Sequence, residues 1–256
     1  MKKILLILSF LLATTSQATI KSQIVHYEDN DVQLKGELYW DDAITGKRPG
    51  VMVVHEWWGL NDYAKKRAHK LAKAGYVAFA ADMYGDDKVT RHAADAKGWM
   101  GQITANTKAW QQRALLGLAQ LKNHPLVATE KLAAIGYCFG GATVIQMAYA
   151  GANLKGVASF HGSLPLAPES SKGKIKAKIL AAHGAQDQFV PAEAVLDFSQ
   201  SLIAAEAQWE VDIYGAASHS FTNPNSADYK IPQLKYDAQA DKRSWDRLMS
   251  FFEEIF

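Results

Sequence analysis

The chain has 256 residues, of which 48% are hydrophobic, 21% charged and 11% aromatic, with 18 glycines; such values belong to folded globular proteins and exclude disordered, collagen-like and coiled-coil classes. The formal net charge of +2 comes from Lys2 and Lys3, since beyond residue 18 the 28 basic groups fall to 26 against 26 acidic ones. A neutral chain lacks the electrostatic footprint of a nucleic-acid binder.

The first 18 residues read as an export signal. Lys2 and Lys3 form a positive start, Ile4 to Ala13 an apolar run, and Ser16-Gln17-Ala18 a small-residue cleavage site. The apolar run is shorter than the roughly 20 residues needed to span a bilayer. The expected mature chain therefore starts near Thr19, is periplasmic or secreted, and makes no membrane contact after cleavage. Its one cysteine, Cys138, has no partner for an internal disulfide.

In the mature chain, Gln23 to Tyr27 and Leu34 to Trp40 read as strands around a polar turn, and Val51 to Val54 as a buried strand. An amphipathic helix follows from about Asp62 to Ala74, with Ala64, Ala68, Leu71 and Ala72 on one face and Gly75 as its stop. Val77 to Ala81 is the next strand, with helical patterns at Arg91 to Met100 and Thr107 to Leu121. Leu132 to Ile135 reads as a short strand, and Gly141 to Tyr149 as a helix buried on most sides. The alternation continues with strands Gly156 to Phe160 and Ile179 to His183, a helix from Ala192 to Glu206, the strand Trp209 to Tyr214, and a last helix carrying Trp245, Leu248, Met249, Phe252 and Ile255. This β-α alternation predicts an α/β fold with a mostly parallel central sheet covered by helices on both faces. No repeat or linker divides residues 19–256, so a single domain is expected.

The segment Gly136-Tyr137-Cys138-Phe139-Gly140-Gly141 sits where a strand meets a helix. Glycines two before and two after Cys138 suit a sharp reversal in which a Cβ would clash. That turn would expose one side chain above the sheet, near a helix N-terminus that favours a developing anion. An α/β-hydrolase then needs an acid and a histidine in loops after later strands. Asp187 follows the strand ending at His183, and His219 follows the strand ending at Tyr214.

With these pieces in place, the sequence resembles the dienelactone hydrolase family, cysteine-nucleophile members of the α/β-hydrolase fold. The resemblance covers about Val51 to Phe256. It is carried by His55-Glu56-Trp57-Trp58-Gly59, Gly75-Tyr76-Val77 with Asp82-Met83-Tyr84, the Cys138 turn, Gly184-Ala185-Gln186-Asp187 with Val190-Pro191, and His219-Ser220-Phe221. It implies hydrolysis of a small-molecule ester or lactone, with Cys138 as nucleophile, His219 as base, Asp187 as the orienting acid and Glu56 as an extra carboxylate near the thiol. The backbone N–H groups of Phe139 and Trp57 would form the oxyanion hole. Glu56 is expected to accept a hydrogen bond from the neutral thiol and so shield it from oxidation.

Trp58, Tyr84, Phe160, His161, Phe189 and Phe221 fall at or near the expected C-terminal ends of the strands, where open α/β sheets bind ligands, and are candidates for the substrate wall. After the histidine the chain reads Phe221-Thr222-Asn223, without the arginine that family members of dienelactone specificity place nearby to hold a substrate carboxylate. The natural substrate and the oligomeric state are left open. His55-Glu56 has Gly59 where a zincin helix needs its second histidine, and neither a dinucleotide nor a nucleoside-triphosphate loop motif occurs, so neither a metal nor a cofactor is expected. The alternative reading of another class is a catalytically silent, exported small-molecule-binding protein on a hydrolase fold.

Overall fold

A computed structural model describes residues 19–256; the candidate export signal lies outside the described residues. The first two strands, β1 (Ile20–Asp29) and β2 (Val32–Asp41), form an antiparallel hairpin. Its two-residue connection includes Asn30 at φ +53°, a left-handed conformation that asparagine tolerates better than most residues. Six parallel strands follow: β3 (Arg48–Val54), β4 (Val77–Ala81), β5 (Val127–Tyr137), β6 (Gly156–Phe160), β7 (Lys178–Gly184) and β8 (Trp209–Tyr214). They join the hairpin in one sheet of order β1-β2-β4-β3-β5-β6-β7-β8.

The helices are α1 (Asp62–Lys73), α2 (Ala93–Thr104), α3 (Thr107–Lys122), α4 (Phe139–Tyr149), α5 (Ala192–Ala204) and α6 (Ala238–Ile255). Period-two alternation along the strands divides the core into two layers. Met52, Val54, Phe79 and Ala134 meet α3, α4 and α5 through Trp110, Leu118, Ile145 and Phe198. Val51, Val53, Ala80 and Ile135 face the opposite way, toward α1 and α6, where Leu71, Leu248 and Phe252 are buried. Parallel strands covered on both faces read as near-continuous apolar runs, and β4 (VAFAA) is buried at every position.

Several element boundaries differ from the sequence reading, those of β5 and α2 among them. Strand β5 starts five residues earlier than expected, at Val127, because it pairs with β3 across an irregularity: Pro49 faces Ala128 and Gly50 faces Leu132. Thr129 and Glu130 are exposed there, and their polarity masks the strand's continuity. Helix α2 runs from Ala93 to Thr104, with His92 as its N-cap, so Arg91 lies outside it.

Candidate active site

Each of the six parallel strands delivers a chemically distinctive residue at its C-terminal end. His55 and Glu56 follow β3, Tyr84 follows β4, Cys138 follows β5, His161 follows β6, Asp187 follows β7 and His219 follows β8. Among these, Cys138 at φ +53°, ψ −114° and His161 at φ +40° have left-handed backbone, as does Ser220 at φ +57°. Such conformations cost about 1–3 kcal/mol each for a residue with a side chain, and they cluster at functional sites.

The Cys138 turn is held by close backbone approach. A Cβ on Gly136 would lie 2.0 Å from the Gly140 carbonyl oxygen, and one on Gly140 would lie 2.3 Å from that of Val54. Only glycine allows β5, the start of α4 and the end of β3 to meet at this distance. The Cys138 N–H donates to the Phe160 carbonyl at 3.0 Å, which ties the strained residue to β6. Cys138 itself is half-buried. Directly after it, the Phe139 N–H opens α4, where a first-turn donor has no intrahelical acceptor.

His219 and Asp187 meet through Nδ1 and Oδ2 at 2.7 Å. The other oxygen of Asp187 accepts from the N–H groups of Phe189 and Val190 at 2.8 and 3.1 Å. Burial alone would raise the Asp187 carboxyl, but these bonds and the His219 charge hold it below its ordinary value. Burial would likewise lower the His219 imidazole. The opposing charge and hydrogen bonding of Cys138 and Asp187 win, and push it up to about 10. His219 thus stands between the Asp187 carboxylate and the Cys138 sulfur, and negative charge on either favours its protonated form.

Glu56 is buried, and its carboxylate is engaged from the histidine loop. Ser220 Oγ donates to one oxygen and Asn223 Nδ2 to the other, each at 2.7 Å. The expected hydrogen bond from the Cys138 thiol to Glu56 is therefore corrected: among the described residues the carboxylate's hydrogen-bond donors are Ser220 and Asn223. The left-handed turn at Ser220 places its hydroxyl against Glu56.

The expected aromatic wall is also revised. Trp58, His161 and Phe221 are wholly inaccessible and Phe160 is 1% exposed, so in this conformation they support the site from behind. Trp58 stacks on Tyr229 with ring centres 3.9 Å apart, Phe160 stacks on Tyr137, and Phe221 packs against His161 and Tyr214. Tyr84 is buried and reaches the Trp57 carbonyl with its hydroxyl at 3.1 Å. Trp57 is half-buried. Phe189 is 51% exposed, its ring 5.1 Å from that of His219, and of the six candidates it is the one open to a ligand.

Behind the histidine loop lies a cluster that sequence reasoning did not find. Thr222 Oγ1 meets Tyr63 Oη at 2.5 Å and His161 Nε2 at 2.7 Å. Arg67 of α1 donates to the Thr222 carbonyl and, at 2.7 Å, to Asp241 of α6. Burial, with the charges of His219 and Arg67, keeps His161 far below its ordinary pKa, hence neutral. No group of three His, Cys, Asp or Glu among the described residues is arranged to hold a metal ion. Cavities of about 340 Å³ beside Tyr229 and about 350 Å³ beside Tyr214 do not include Cys138, His219 or Asp187, so these candidates are recognised by their chemistry and not by cavity size.

A candidate nucleophile at a glycine-flanked turn between strand and helix, with an acid and a histidine following at the ends of later parallel strands, defines an α/β-hydrolase. The comparisons agree. The dienelactone hydrolase family's sequence profile matches residues 35–256, and the chain belongs to that family. It is 28% identical over 228 residues to a Yersinia pestis protein named "Putative carboxymethylenebutenolidase", covering 83% of this chain and 80% of that one. Among solved structures, the dienelactone hydrolase-like promiscuous phosphotriesterase P91 from metagenomic libraries superposes with a TM-score of 0.90 at 39% identity, covering 94% of this chain and all of that one. A second, m3DLH, gives a TM-score of 0.89 at 36% identity, over 93% of this chain and 99% of the other. The protein is an enzyme, a hydrolase of the ester- and lactone-cleaving type.

Proposed function

We propose that the enzyme is exported and cleaves small carboxylic esters or lactones through a thioester on Cys138. The observation that carries this reading is His219, hydrogen-bonded to Asp187 and raised in pKa by its interaction with Cys138. In the forward step His219 holds the proton given up by the Cys138 thiol while the sulfur attacks the acyl carbon. Asp187 fixes the ring so that Nε2 faces the reaction, and it stabilises the imidazolium. The N–H groups of Phe139 and Trp57 receive the negative charge that develops on the carbonyl oxygen. His219 then gives its proton to the departing alkoxide. Water, activated by the same imidazole, releases the acid and regenerates the thiol.

Glu56 in this scheme acts from the second layer. It anchors Ser220 and Asn223, and through them the backbone that carries His219. Export is supported by the sequence alone, through Lys2, Lys3, the apolar run and Ser16-Gln17-Ala18.

One preparation tests both parts. Protein purified from the exported fraction should begin near Thr19 by intact mass and hydrolyse p-nitrophenyl butyrate. Cys138→Ala should lose turnover by at least about a thousandfold while keeping its fold. Retained turnover in that variant would sink the thioester mechanism, and an intact Met1 would sink export.

A further inference from the structure

The oxyanion donor contributed by Trp57 has a dedicated support that the triad does not explain. His55, the last residue before Glu56, is wholly buried. Its Nε2 accepts the Met83 N–H at 3.2 Å, so the ring proton lies on Nδ1, and Nδ1 donates to the Glu56 carbonyl at 2.5 Å. The Glu56 carbonyl and the Trp57 N–H belong to one peptide group. That group is planar and trans, so its C=O and N–H point in opposite directions. Holding the carbonyl toward His55 therefore aims the Trp57 N–H away from it.

The neighbouring contacts serve the same end. Tyr84 Oη donates to the Trp57 carbonyl at 3.1 Å, which fixes the next peptide. The His55 ring packs against Tyr84 and against Phe139, the residue that carries the other oxyanion donor. Burial lowers the His55 pKa, and the neutral ring can accept at one nitrogen while it donates at the other.

We propose that His55 is a positioning residue for the oxyanion hole, its Nδ1–H locking the Glu56–Trp57 peptide so that the Trp57 N–H meets the acyl oxygen of the transition state. The inference rests on the cysteine mechanism above. It assigns His55 no contact with substrate and no proton transfer.

The test uses two reactions of the same thiol. Ester hydrolysis builds an oxyanion, whereas alkylation of Cys138 by iodoacetamide displaces iodide from a saturated carbon and builds none. His55→Phe keeps a ring against Tyr84 and Phe139 and removes both hydrogen bonds. It should lower kcat for p-nitrophenyl butyrate about 10- to 100-fold with KM nearly unchanged, while the alkylation rate stays within about twofold of wild type. His55→Asn places an amide N–H near the Nδ1 position and should recover part of the loss, whereas His55→Gln reaches the Met83 side and should not.

An unchanged kcat in His55→Phe, or alkylation falling in step with hydrolysis, would overturn the proposal. Should His55→Phe fail to fold, the order of the amide pair decides: Asn above Gln supports it, and Gln equal to or above Asn overturns it. Failure of the underlying mechanism is read separately, because only then does Cys138→Ala still hydrolyse the ester, and this inference falls with it.

Discussion

The Cys138 turn and the His219 loop carry the two ends of one proposed proton transfer, yet they are held by opposite means. Around Cys138 the restraint is steric and local: Gly136 and Gly140 let three backbone segments close to distances that no Cβ would permit. Around His219 the restraint is polar and long-range, through Glu56 on Ser220 and Asn223, and Arg67, Tyr63 and His161 on Thr222. Cys138 is fixed by an absence of atoms, and His219 by a network of buried hydrogen bonds.

Substitutions should therefore fail differently in the two regions. Gly140→Ala puts a methyl group against the backbone oxygens of Val54 and His55, which lie 2.3 and 2.7 Å from the new Cβ. Backbone cannot rotate away as a side chain can, so the loss should be large for a single methyl, about 3 kcal/mol. Urea unfolding would read it as a lower midpoint at unchanged slope. A loss below about 1 kcal/mol would show that β3 and α4 can part cheaply.

Thr222→Val tests the polar side of the comparison. It keeps the shape but deprives Tyr63 Oη and His161 Nε2, both buried, of a common partner. Leaving buried polar groups unsatisfied should cost about 2 kcal/mol. Tyr63→Phe in the same background should return part of it, since the stranded hydroxyl is then gone as well. A double variant no more stable than Thr222→Val would mean that the hydroxyl finds another partner.

The same contrast explains what was legible in the sequence. The strands and helices were readable because fully buried parallel strands leave apolar runs and amphipathic helices leave a periodic face. The Cys138 turn was readable because its restraint lies within six consecutive residues. Asp187 and His219 could be placed from chain order after their strands, and the structure brings them into contact. The partners of Glu56 were not readable, since Ser220 and Asn223 lie 164 and 167 residues away along the chain and any loop serine or asparagine looks alike in sequence. Arg67 lies among the lysines of α1, and nothing in the sequence marks it as the one buried between Thr222 and Asp241. Trp58, Phe160 and Phe221 were misread for a related reason: an aromatic near a strand end can turn outward to a ligand or inward to the core, and only the packing decides.

The smallest expected effect concerns Glu56, where the polar network works against its own burial. Burial raises the Glu56 carboxyl above its ordinary value, and the hydrogen bonds from Ser220 and Asn223, with the charges of His219 and Arg67, only partly oppose this. The folded chain therefore holds the Glu56 proton more tightly than the unfolded chain does. Below the ordinary glutamate pKa of about 4.3 both states are protonated, and burial carries no ionisation penalty. As pH rises through that value the unfolded chain ionises first, and stability falls until the folded pKa is passed; above it the penalty is constant. Glu56→Gln does not titrate and preserves both contacts, its amide oxygen accepting from Asn223 and its N–H donating to Ser220 Oγ. Asp187, whose lowered pKa gives the opposite slope, is present in both forms and drops out of the difference. Urea midpoints of the two proteins, measured from about pH 4 to pH 8, should therefore separate with rising pH in favour of Glu56→Gln. A gap that closes or reverses as pH rises would mean that the hydrogen bonds from Ser220 and Asn223 outweigh the burial of the charge, making Glu56 a stabilising anchor instead of a strained one.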